Sequence, residues 1–479
     1  MKAFALVLCL QAEIDRDVAG QKGFDPSRVP ALAGDGEFLR RASLDLTGAP
    51  PTADEARAFL DDPEPDKRTR LVDRLVASDA FARAWARRLS GMLLGGGDAL
   101  PFAPGHPLPA ELRRALVGGF EAWLADALRK DTPWDAIVTE LLVSRGSSDA
   151  VPAVAWKLSL RSDLDPFPRA FAGYMPKQLL GIDMRCAVCH DHPFDKWTWK
   201  DAHDLMSFLP ALSVQADAAA SRAQVEPDYL APLPAVPGFT PAPRLFVGGQ
   251  AAAGEDRLEA LARLVTASPQ LDRAAANRVW AWMMGRGVVH PPDGFNMRHR
   301  PSSAALLSTL EKEFRRTGRS IKAFVRTVAL TRAYQRSSAG DLPMAQLVRP
   351  LEPEALVGAL QTATLGAPRR DVEEARRLVG AATLGRVRGC EIEALPCGTL
   401  QALFLRNSEE LWGWIVDGPV LRRVRGAKDP VEELFLSVLS RRPSPAERDR
   451  FTRFVDAGPE AWADAMWALL NSTEFLTRS

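Results

Sequence analysis

The sequence predicts a mainly α protein: two helical domains joined by a proline-rich linker, with helical hairpins at both ends and little β structure. Three observations predict it. Apolar residues recur at helical spacing, as in Leu306, Leu307, Leu310 and Phe314, and again in Ile321, Phe324, Val325 and Val328. Alternating β-branched runs are scarce, and LFVGG from Leu245 is the best candidate for a short strand. Residues 226–244 hold six prolines, a density that forbids helix and favours an extended, semi-rigid connector.

From the N-terminus, Lys2 precedes an apolar run from Ala3 to Leu10 that closes on Gln11 and Ala12. Residues 1–12 read as a short signal peptide, with an ordinary first helix or strand as the alternative. The run is far too short to span a membrane, and no other segment approaches the ~18 apolar residues a span needs. An exported chain meets an oxidising compartment, where spare cysteines pair. A first domain is expected over 30–210, a Pro/Ala-rich linker over 211–252, and a second helical domain over 253–479. Within the first, GGGDALPFAPGHPLP lacks the Gly-Lys-Ser/Thr ending of a phosphate-cradling loop and reads as a connector. At 479 residues the chain is too long for one ordinary domain, and its formal charge of +1 suggests neither a nucleic-acid nor a membrane-surface partner.

One repeat joins the two ends. LDLTGAPPTADEARAFL runs on to LVDRLVASDAF; LSVLSRRPSPAERDRFTRFV runs on to MWALLNSTEF. Each copy places a helix end before a proline turn, then a capping box, Thr52 with Glu55 or Ser444 with Glu447. Pro445 suits the first helical position, where its missing N–H costs nothing. Each closes on a phenylalanine, Phe81 or Phe475. The repeat describes packed helical hairpins, not chemistry.

The chemistry concentrates in RCAVCHDHPFDKW, residues 185–197, which holds two of the chain's five cysteines and two of its six histidines. Cys186, Cys189 and His190 form the pattern of covalent haem c attachment: two thiols reach the two vinyl groups on one porphyrin edge, and the next histidine turns under the iron. The same pair with His192 or His203 could instead hold zinc, and Cys-x-x-Cys alone suits thiol redox chemistry or a structural disulfide. For haem, His203 and Met206 are the candidate sixth ligands, with Met184, Met283, Met284, Met297, His290 and His299 reachable through tertiary folding, and a vacant sixth site is the alternative. His192, Asp191 and Asp195 are placed to support the ligands from behind. Trp197 and Trp199 suit either a porphyrin face or the core. Cys390 and Cys397, in RGCEIEALPCGT, are expected to pair as a local disulfide if the chain is exported. No nucleophile elbow, zinc-protease or dinucleotide fingerprint is present.

At these residues the chain resembles the planctomycete-type cytochrome-like family, whose members pair two domains of unknown function. The first domain is similar through FLRRASLDLTGAPPTADEARAFL, LVDRLVASDAFARAWARRL and LLGIDMRCAVCHDHPFDKWTW. The second is similar through NRVWAWMMGRGVVHPPDGF, SIKAFVRTVALTRAYQRSS and ALLNSTEFL. The resemblance implies an exported bacterial protein, periplasmic or at the cell surface, with one covalent haem and a secreted protein partner. It departs from the family near Cys390, where Ile392 replaces a second cysteine, and at Ser303, where relatives often carry histidine. The expected role is haem-based redox work or electron transfer; the competing class is a surface or assembly module braced by zinc or a disulfide.

Overall fold

The computed structural model describes residues 12–20, 30–94, 108–160, 167–209, 211–217, 222–228, 238–338, 347–368 and 399–478. These are mainly helical with few strands, as the periodicity predicts. The run 1–11 and the cysteines Cys390 and Cys397 lie outside the described residues. Two compact units form. One is built on Trp85–Val328; the other joins the segment ending at Ala84 to the segment beginning at Ala329. The units part at 84/85 and 328/329.

In the second unit both predicted hairpins are present. Thr52 Oγ1 accepts from the Glu55 N–H (3.3 Å) while Glu55 accepts from the Thr52 N–H (2.9 Å). Ser444 and Glu447 repeat the exchange at 3.3 and 2.8 Å. Before each turn the preceding helix ends left-handed, at Gly48 (φ 76°) and at Ser440 (φ 59°), whose N–H groups return to Leu44 and Leu436. Each copy then starts its last helix on a serine: Phe81 and Phe475 donate their N–H to Ser78 Oγ and Ser472 Oγ, and both rings are fully buried. Leu44, Leu356, Leu434, Phe435, Met466 and Phe475 share one apolar core.

That core encloses charge. Asp45, 0% exposed, accepts from Tyr334 Oη at 2.6 Å and from Arg478 Nη1. Arg40 donates to the carbonyls of Val438 (3.2 Å) and Phe475 (2.9 Å), and Arg41 to those of Tyr334 (2.7 Å) and Arg336 (2.8 Å).

In the first unit, helix Pro269–Met284 packs on Ala304–Arg316. Buried Asp272 binds Arg315 (3.0 Å) and Arg319 (2.7 Å), and Arg319 continues to Asp135 at 2.6 Å. The expected linker over 211–252 contains a strand pair among its described residues, while residues 229–237 lie outside them. Residues Ala211–Asp217 and Arg222–Asp228 pair as antiparallel strands with Val214 opposite Val225, and Gly146–Ser147 adds a third strand. LSVQAD alternates apolar and polar residues over six positions, the strand period that the neighbouring prolines obscured. LFVGG forms a tight turn instead of a strand: Leu245 N–H bonds Gly249 O (2.9 Å), and Gly248 and Gly249 take φ of 121° and 92°.

Lys157 is 2% exposed and donates to the Ser144 carbonyl. Burial, reinforced by the charge of Arg145 and opposed by Asp256, pulls its ammonium from 10.5 to about 7. Between those values the unfolded chain binds a proton that the folded one does not, so this site makes stability rise with pH from about 7 towards 10.5. Lys157→Met should flatten that rise by up to ~1.4 kcal/mol per pH unit, measured by urea unfolding from pH 6 to 10. Ser440 is buried, holds a left-handed φ of 59°, and leaves its hydroxyl without a partner. Ser440→Gly, matching Gly48 in the other copy, should stabilise by about 1 kcal/mol, read as a raised Tm in calorimetry.

Candidate functional site

The segment leading into the Cys-x-x-Cys-His turn is held through its backbone. Residues Pro176–Leu180 form a π-helical turn that ends on Gly181 at φ 68°. Arg278 donates to the carbonyls of Gln178 (2.9 Å) and Lys177 (3.2 Å), and Gln270 to that of Leu180 (2.7 Å). The Phe295 N–H bonds Gly181 O at 2.8 Å, and a Cβ on Gly181 would lie 2.7 Å from the Phe295 ring. Only glycine both takes the left-handed turn and admits that ring. Asp293, 4% exposed, lies 3.4 Å from Lys177.

The turn itself sorts its side chains by burial. Ala187 and Val188 face inward at 0% and 5% exposure, whereas Cys186, Cys189 and His190 are all exposed. The N–H groups of Cys189 (3.2 Å) and His190 (3.3 Å) both return to Cys186 O. The two thiols are free, so the predicted alternative of a disulfide between them is not formed. Arg169 donates to Cys189 Sγ at 2.6 Å. Arg185 and Asp183 form an ion pair that raises the guanidinium and lowers the carboxyl from their ordinary values.

Hydrogen bonds assign the imidazole nitrogens. His190 Nδ1 sits 2.7 Å from Asp191 O and His203 Nδ1 sits 2.8 Å from Trp199 O. A carbonyl only accepts, so in the neutral form of both rings the proton sits on Nδ1 and the lone pair on Nε2. His192 is the reverse: its Nδ1 accepts the Phe194 N–H at 3.2 Å, which puts the proton of the neutral ring on Nε2. His299 Nδ1 lies 3.0 Å from Asn296 Nδ2, and Asn296 Oδ1 is committed to the N–H groups of Arg298 and His299. Burial, with Arg286 and His299 adding, holds His290 below its ordinary value.

Of the other predicted residues, Asp191 Oδ1 accepts the Trp199 N–H (2.9 Å) and Asp195 Oδ1 the Lys196 N–H (2.8 Å). Both therefore shape the loop. Met206, Met184 and Met283 are buried at 6%, 0% and 0%, while Met297 is 63% exposed. Trp197 packs edge-on against Phe246 at 4.9 Å and Trp199 against Phe239 at 5.1 Å. Trp197 Nε1 is enclosed and has no hydrogen-bond partner. Among the described residues no group of three or more His, Cys, Asp or Glu side chains is gathered that could hold a metal ion.

Residues 13–213 match a family model described as a protein of unknown function, DUF1549 (PSCyt2), and residues 257–354 match a second so described, DUF1553 (PSD1). The chain carries these two domains of unknown function in tandem. No curated protein and no solved structure matches it. The Cys-x-x-Cys-His turn falls in the PSCyt2 match, and Phe295 and Arg298 fall in the PSD1 match. The two matches therefore meet at the site. Nothing in the sequence marks Phe194, Arg298 or Arg169 as part of the site, because the contacts of Arg298 with Phe194 and of Arg169 with Cys189 are tertiary. No helix among the described residues is long and apolar enough to cross a membrane.

In the second unit, a cleft of about 430 Å³ is lined by Arg57, Arg423, Lys428 and Glu433. Arg57 and Arg423 are both committed to Glu433, which makes the cleft an ion-pair cluster rather than a second chemical centre.

Proposed function

We propose that the chain is an exported bacterial protein that carries one covalent haem c at Cys186, Cys189 and His190 and exchanges electrons with a secreted partner. One observation carries this reading: the two thiols and the imidazole all face solvent from a turn whose intervening residues, Ala187 and Val188, are buried. Two free, exposed thiols suit thioether formation, which needs both sulfurs reduced and reachable. His190 would hold the iron through Nε2, since its Nδ1–H is engaged in a hydrogen bond to Asp191 O, the arrangement metal-ligating histidines use. His203 has the same polarity and would be the candidate for a second iron ligand, since Met206 is buried and neutral His192 carries its proton on Nε2. Haem bound there supplies a one-electron iron couple. The loop's own work is to orient His190, through Asp191 and Trp199, and to keep the thiols accessible.

Protein exported in a host with cytochrome-maturation machinery should give a pyridine haemochrome spectrum and the mass of one added haem. Cys186→Ser combined with Cys189→Ser should remove both while leaving far-UV circular dichroism unchanged. Colourless wild-type protein from that host, holding zinc or a disulfide at the pair, ends the reading. In loaded protein, His203→Ala should convert the low-spin ferric spectrum to high-spin; an unchanged spectrum would assign the sixth position elsewhere.

A further inference from the structure

We propose that the face around the Cys-x-x-Cys-His turn docks a carboxylate-rich protein surface. Among the described residues of this unit, the large apolar side chains left exposed are Tyr174 (40%), Phe194 (50%) and Met297 (63%). Tyr174 and Phe194 adjoin the turn, and Met297 precedes the arginine that covers Phe194. The Arg185 guanidinium lies 5.6 Å from the Tyr174 ring centre, and Arg298, next to Met297, lies 3.6 Å from that of Phe194. Large exposed apolar groups elsewhere in this unit are absent among the described residues, so their concentration here marks a surface that gains by being covered.

The charges on this face show what covers it. Lys196, Lys200 and Arg298 are exposed and make no ion pair among the described residues. Each lies over an aromatic ring instead: Lys196 on Trp197 at 4.6 Å, Lys200 on Phe239 at 5.8 Å, and Arg298 on Phe194. A ring face holds a cation without neutralising it, so each remains open to an incoming anion. The carboxylates that could have paired with them are turned to the backbone. Asp191 takes the Trp199 N–H, Asp195 takes the Lys196 N–H, and Asp201 closes the capping box on Thr198. The result is apolar tips interleaved with unpaired cations, around side chains of the types enriched in protein interfaces: aromatics, Met and Arg. Cations dispersed among apolar tips match a mixed protein surface better than the dense phosphate row of a nucleic acid. Complementary carboxylates on the partner would steer encounter and fix orientation over the turn.

The inference rests on the proposed partner role for its purpose, but the surface is the same whether or not haem is attached. Its test uses the full chain and the Cys186→Ser/Cys189→Ser form side by side, with haem content measured separately, so that failure of one claim is not failure of the other. The probe is poly-L-glutamate, titrated against tryptophan fluorescence, with phosphatidylglycerol vesicles and single-stranded DNA as competing anions. Both forms should bind poly-L-glutamate, with affinity falling roughly tenfold between about 20 and 200 mM salt. Lys196→Glu/Lys200→Glu/Arg298→Glu should lose at least about tenfold in affinity, whereas Arg453→Glu, on the other unit, should not. Absence of poly-L-glutamate binding, equal binding by the triple variant, or tighter binding to vesicles or DNA would each overturn the proposal.

Discussion

A single buried carboxylate organises the second unit. Asp45 has no exposed surface and takes hydrogen bonds from Tyr334 and Arg478, residues separated from it by hundreds of positions. Without those donors, its charge would carry a desolvation cost larger than most single packing interactions return. Arg40 and Arg41, on the same helix, extend the constraint by capping carbonyls of Tyr334, Val438 and Phe475. Burial raises the Tyr334 hydroxyl well above its ordinary value and lowers both arginines, Arg40 to about 10. The donors thus remain protonated at neutral pH, and the three distant segments close into one unit with Asp45 satisfied.

The first unit applies the same rule to a different end. Arg278 is nearly buried and spends its guanidinium on the carbonyls of Lys177 and Gln178. Together with Gln270, it satisfies backbone groups that a π-turn leaves open, and Phe295 covers Gly181. A rigid approach of this kind lets the following turn bury two small residues and expose three chemical ones. The burial pattern of the turn is therefore inherited from contacts made by residues about a hundred positions away.

Local signals proved most legible where the physics is local. Capping boxes at Thr52 and Ser444 were readable because a side chain and an N–H three residues apart need no other part of the protein. The strands at 211–217 and 222–228 were hidden because prolines and alanines nearby dominated the composition, and because alternation with a single β-branched residue in each strand is a weak signal. At the site, the types and spacing of Cys186, Cys189 and His190 were plain from the chain. Their shared exposure was not, nor was the opposite proton placement on His192 and His203, which depends on whether each Nδ1 faces an N–H or a carbonyl.

The mainly helical character, the starts and stops of the hairpins, and the thirteen-residue stretch that concentrates sulfur and imidazole are all written in the order of residues along the chain. Those features follow from periodicity and from interactions within one helical turn. Tertiary structure alone decided that the N-terminal hairpin joins the C-terminal one, that Met206 is buried, and that Arg298 lies over Phe194. Burial of charge and pairing of distant backbone groups depend on which segments meet, and no spacing along a chain encodes that directly.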